Sequence, residues 1–197
     1  MNKKQSKSNS LCCNFQKGLT LVEMLVAMMM FVITIGAISG IFIFGVRAQR
    51  RILATQELLD QTSFVLEYMG RALRMAKKDT SGCVATAGNN YDLTNNVIQF
   101  LDHNEKCTKF YLDSSFNGRI KKGVWDDSSG VWEIMDLTSS ALRVNFLRFS
   151  LYGNPQNDEL QPRVTISLDV SGRETGFGGR PRVQMQTSVS QRNLDIQ

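Results

Sequence analysis

Few residues of this 197-residue chain have the types and spacing that chemistry needs. His103 is the only histidine, so no histidine pair for a metal is present. Asp102, His103, Glu105 and Cys107 could be drawn as a metal site. One hairpin supplying every ligand, one of them a cysteine with a disulfide partner available, is a poor zinc centre. Asp126-Asp127-Ser128-Ser129-Gly130 offers hard oxygens but lacks the acidic ligand at the far end of an EF-hand loop, and it reads as a solvated turn. Gly176-Phe177-Gly178-Gly179 has no strand-loop-helix setting and reads as a loop. A Gly-x-Ser-x-Gly elbow is missing as well. The expectation is a protein without catalytic residues, cofactor or metal.

Two chemical features remain. Cys12 and Cys13 are adjacent near the N-terminus, a spacing that strains a bridge, whereas Cys83 and Cys107 lie in the body of the chain. The latter pair suits one structural disulfide in an oxidising compartment, closing a loop of about 25 residues and stabilising the body by roughly 3–4 kcal/mol. Two unpaired buried thiols are the alternative. The second feature is Glu23, a carboxylate inside an apolar run that opens at Leu19. Such a group either stays hydrated at an interface or needs a partner.

The elements that carry these residues are legible in the patterning. Residues 1–18 hold Lys3, Lys4, Lys7 and Lys17 and no acid, leaving 19 basic residues against 18 acidic ones elsewhere. The basicity therefore belongs to a leader, and a near-neutral body argues against nucleic acid as partner. From Met24 to Val46 there are 23 residues without a formal charge, 18 of them apolar. As a helix they extend about 34 Å, enough to cross a bilayer core of about 30 Å. Arg47, Arg50 and Arg51 follow, so the positive-inside rule favours a cytoplasmic N-terminus by only four charges to three.

Helical periodicity then continues over 47–80. Ile52, Leu59, Leu66 and Leu73 recur every seven residues, and Leu58, Val65 and Ala72 widen the stripe. Thr55 and Thr62 interrupt the second seam, so packing on a sheet is expected rather than a coiled coil. The helix should stop near Lys78–Gly82. Strands are expected at Val97–Leu101, Cys107–Leu112, Arg119–Trp125, Val131–Met135, Leu142–Leu151, Arg163–Val170 and Val183–Ser190. The first two form a hairpin. One long N-terminal helix followed only by strands predicts an α+β fold, with an antiparallel sheet against the helix. The parts are a leader (1–18), a spanning helix (19–46), an amphipathic continuation (47–80) and a β-rich head (81–197).

The junction Gln16-Lys17-Gly18-Leu19-Thr20-Leu21-Val22-Glu23-Met24-Leu25-Val26 resembles the class III signal of type IV pilins and pseudopilins. In that family a membrane peptidase cuts after the glycine and methylates the new N-terminus. The resemblance implies processing at Gly18, a methylated Leu19, and a charge pair between Glu23 and the N-terminal ammonium of a neighbouring subunit. Leu19 stands where Phe is most common. No proline interrupts the segment, and Gly36 and Gly40 instead form a Gly-x-x-x-Gly, the spacing that lets helices approach closely. Val183 to Leu194, together with Glu67-Tyr68-Met69-Gly70-Arg71-Ala72-Leu73-Arg74, is similar to W-type minor pilins and J-type type II secretion pseudopilins.

The implied partners are other pilin or pseudopilin subunits, the prepilin peptidase and the membrane. The implied location is the inner membrane, with the N-terminus cytoplasmic and the head outside, and later a periplasmic or surface filament. Lys106, Lys109, Arg119, Lys121 and Lys122 cluster in sequence, and these filaments can take up DNA, but basic strands also keep a sheet edge soluble. An uncleaved single-span module whose β head binds a ligand or DNA is the alternative.

Overall fold

The computed structural model describes residues 18–86, 88–115, 118–155, 160–172 and 179–192. The leader with its lysines and Cys12-Cys13, the loop residues Gly176, Phe177 and Gly178, and Asn193-Leu194 lie outside the described residues. The chain divides between Val46 and Arg47 into two compact units. Helix α1 (Leu21–Arg74) runs from one unit into the other.

In the first unit every residue from Gly18 to Gly45 is exposed. The helix there is apolar all round, and none of its side chains finds a protein core. It is the one described helix long and apolar enough to cross a membrane. Thr20 starts it: the Glu23 amide donates to Thr20 Oγ1 at 3.2 Å, which satisfies one of the orphan donors of the first turn.

The second unit is α+β, as the patterning predicts. Strands β1 (Tyr91–Thr94), β2 (Val97–Leu101), β3 (Cys107–Asp113), β4 (Arg119–Asp126) and β5 (Val131–Asp136) form one antiparallel meander in sequence order. Strands β6 (Arg143–Tyr152), β7 (Arg163–Ser171) and β8 (Arg182–Ser190) form a second antiparallel sheet. Strand β1 is an addition to the expected set. Asn95 and Asn96 both take positive φ, of 50° and 62°, and join it to β2 as a two-residue hairpin.

The core lies between the C-terminal part of α1 and the two sheets. Leu58, Val65, Met69 and Leu73 meet Tyr91, Phe100, Phe110 and Ile120 of one sheet and Leu147, Val164, Ile166 and Leu168 of the other. Each such side chain contributes about 1.5–3 kcal/mol by leaving water. The seven-residue seam holds in its second half only. Leu66 and Leu73 are buried, as are Leu58 and Val65 of the widened stripe together with Thr62 and Met69, whereas Ile52 is exposed and Leu59 only half-buried. A helix lying on a sheet follows its own 3.6-residue period, so the buried line drifts off a strict heptad. Thr62 does not interrupt it, because its hydroxyl donates to the Leu58 carbonyl at 2.6 Å and is satisfied inside the helix.

The helix also ends earlier than expected, at Arg74, and local glycine plays no part. The Tyr91 hydroxyl donates to the Leu73 carbonyl at 2.6 Å, the Arg192 amide to that of Arg74 at 2.9 Å, and Gln191 Nε2 to that of Ala76 at 2.8 Å. Carbonyls that a helix end leaves orphaned are thus capped from distant parts of the chain.

Candidate functional site

The apolar segment and its first turn hold most of the residues that the sequence singles out. Gly18 and Leu19 precede the helix and are exposed, and a Cβ at Gly18 would meet nothing within 4 Å. Glu23 lies in the first turn, where a carboxylate is favoured by the helix dipole. Its side chain meets no hydrogen-bond or ionic partner among the described residues. Thr20-x-x-Glu23 is also a capping-box spacing, of which the structure forms the threonine half. Gly36 and Gly40, one turn apart, likewise have open space where a Cβ would point. The structure brings none of these residues to a partner. They are presented on an uncovered surface, which in a lone soluble protein would be a liability.

Cys83 and Cys107 are brought together, as a disulfide with Cα atoms 5.5 Å apart. The bond ties the connection after α1 to the start of β3, and Gln99 Nε2 donates to the Cys83 carbonyl beside it at 2.6 Å. The same connection is organised by Asp79, a residue of no expected role. Its Oδ1 accepts the amides of Ser81 at 2.9 Å and Gly82 at 3.1 Å, and its Oδ2 accepts that of Val84 at 2.7 Å. Burial raises the pKa of Asp79, and the amide donors more than offset it, so the carboxyl lies below its ordinary value. The pattern Asp-x-Ser-Gly is an Asx-turn signal that could have found it.

The sequence cluster of basic residues is largely committed within the head. Lys121 pairs with Asp113 at 2.6 Å, and Arg119 with Asp136 at 2.6 Å. Lys122 Nζ donates to the Tyr68 hydroxyl at 2.9 Å, and Lys109 Nζ lies 3.8 Å from the centre of the Trp132 ring. Burial lowers the pKa of Lys109. The Lys121 hydrogen bond, joined by Ser115, holds Asp113 well below the usual carboxylate range. Among the described residues no group of three or more His, Cys, Asp or Glu could hold a metal ion. His103 Nδ1 is 2.7 Å from Asp102, and Cys107 is spent on the disulfide. The Asp126 turn is closed on itself: Ser129 Oγ and Ser128 Oγ each donate to Asp126 at 2.7 Å, which lowers its pKa to about 2.

The arrangement has the means to join surfaces, through an uncovered apolar helix carrying one acid and a rigid, disulfide-stapled head. No family model, curated protein or solved structure matches this chain.

Proposed function

We propose that the chain is a structural subunit of a type IV pilin-like filament, a minor pilin or pseudopilin of a pilus, type II secretion or competence system. The observation that carries the reading is an acid without a partner at the first turn of a fully exposed apolar helix, five residues after an open glycine. As a precursor the helix would span the inner membrane once, with the N-terminus cytoplasmic and the head outside. Cleavage between Gly18 and Leu19 by the prepilin peptidase would free an ammonium group. A neighbouring subunit's ammonium would then neutralise Glu23 when the helices pack. Leaving a buried carboxylate without its partner costs roughly 3–5 kcal/mol, enough to set the axial register between subunits. The open faces of Gly36 and Gly40 allow close helix contact.

Mass spectrometry of the protein from its native cells tests this. The expected N-terminus is methylated Leu19, and Glu23→Ala should be cleaved normally yet enter filaments poorly. Mature protein retaining residues 1–18 would favour instead an uncleaved single-span anchor whose head binds a ligand, a reading supported by a hollow in the head lined by Trp125 and Trp132.

A further inference from the structure

Strand alternation places Gln99, Cys107, Lys109, Gly123, Trp125 and Trp132 on the face of the five-stranded sheet opposite Phe110 and the helix. There the two indoles meet edge to face, with ring centroids 5.4 Å apart, beside a hollow of about 290 Å³ that reaches to the disulfide loop. Both tryptophans are half-buried and line it. Gly123 leaves room between them. A Cβ there would lie 2.9 Å from Lys109 Cε and 3.1 Å from Trp132 Cε3, so the bare glycine lets the lysine reach the Trp132 ring without shifting. The disulfide and the Asp79 turn fix the opposite wall.

The rim is rich in acceptors. The Asp127 carboxylate meets no hydrogen-bond or ionic partner among the described residues. Glu105 uses Oε1 for Lys77 at 2.9 Å and keeps Oε2, while Ser81 donates its hydroxyl proton to Asp79 and retains its lone pairs. A ligand must therefore bring its own donors. A neutral ligand fits best. Lys109 already lies over the Trp132 ring, where a cation would sit, and Lys77 pairs with Glu105, which leaves Asp127 as the carboxylate of the lining that needs a donor. A ring with an apolar face for an indole and hydroxyls at its edge meets both conditions, and the hollow has the size for one such ring. We infer that the hollow beside Trp125 and Trp132 is a saccharide subsite, taking one neutral sugar ring against the indoles with its hydroxyls donating to Asp127 and Glu105. This does not depend on the assembly reading, because it uses the head alone.

The chain has 2 tryptophans and both line the hollow, so intrinsic tryptophan emission reports this site alone. The full chain in a sugar-free polyoxyethylene detergent is titrated with chitotriose, maltotriose and cellotriose. At least one should shift or quench the emission saturably, with a Kd of about 1–10 mM, as expected for one stacked ring with a few hydrogen bonds. Asp127→Asn, an exposed change that leaves the fold intact, should weaken binding at least about threefold, and Trp125→Phe about tenfold or more, with Trp132 still reporting. An unchanged emission with all three sugars overturns the inference. So does saturable quenching by choline chloride alone, or an affinity indifferent to Asp127→Asn.

Discussion

Asp169 shows how one residue fixes a sheet face. It is buried on β7 and accepts from the Arg182 guanidinium, from Gln184 Nε2 at 3.1 Å and from Asn145 Nδ2 at 3.2 Å. The Arg182 hydrogen bond is the main reason that its carboxyl lies well below the usual range. Asn145 reaches it because a register shift between Val144 and Phe146 turns the β6 backbone there. With its folded pKa depressed, Asp169 contributes stability that is present above its ordinary pKa of about 4 and is lost as pH falls through that value towards the folded one. Denaturant midpoints measured between pH 6 and pH 2 should therefore fall more steeply for the natural protein than for Asp169→Asn. Parallel curves would show that the carboxylate adds nothing. At pH 7, Asp169→Ala should cost about 2–3 kcal/mol, as expected for losing several hydrogen bonds to a charged group.

Among the elements, β6 decides how the two sheets of the head are joined, and asparagine does the joining. Asn96, in the positive-φ turn between β1 and β2, donates to the Leu147 carbonyl and accepts the Phe149 amide at 3.0 Å, so its side chain takes the place of a strand neighbour. Asn154, just past β6, returns the contact by donating to the Tyr91 carbonyl at 2.9 Å and accepting the Tyr91 amide at 3.2 Å. At the other end of the strand, Gly118 has φ of 67°, and a Cβ there would lie 2.2 Å from the Val144 carbonyl oxygen. Asn96→Ala should lose both bonds and strain the turn, lowering stability by about 2–3 kcal/mol in a two-state denaturant melt. Asn96→Gly relieves the strain but not the lost bonds and should recover a fraction of that. Equal stability of the two variants would mean that the backbone conformation carries no weight.

At the scale of the whole molecule, each unit has its own solvent. The head's core draws on residues from Leu58 onward, while the described residues from Gly18 to Gly45 are all exposed. A fragment spanning 47–197 should accordingly be soluble and unfold cooperatively, and a fragment that aggregates or melts without a transition would refute the division. The disulfide acts on this unit: Cys83→Ser with Cys107→Ser should lower its stability by about 3.5 kcal/mol, the loop-closure value for a bond with 24 residues of separation. Thermal melts of the double variant, and of the natural protein with and without reductant, measure that loss.

Much of this was legible in the residue order. An uncharged apolar run from Met24 to Val46 makes a helix in any apolar solvent, and period-two alternation makes strands at Val97, Cys107 and Arg163, because both signals are local and repeated. The pairing of Cys83 with Cys107 was open to arithmetic, as an even pair in the body of the chain. Strand β1 carries only a weak signal: Asn95-Asn96 marks a hairpin turn, but four residues are too short for alternation to register. What the order of residues could not supply is every feature made by contact at a distance: the helix stop at Arg74, the burial of Thr62, and the indole hollow. Those depend on which side chains arrive from residues 76 to 192 to cap a carbonyl, bury a methyl or leave a gap. Such arrivals are set by how the sheets pack, which carries no sequence period.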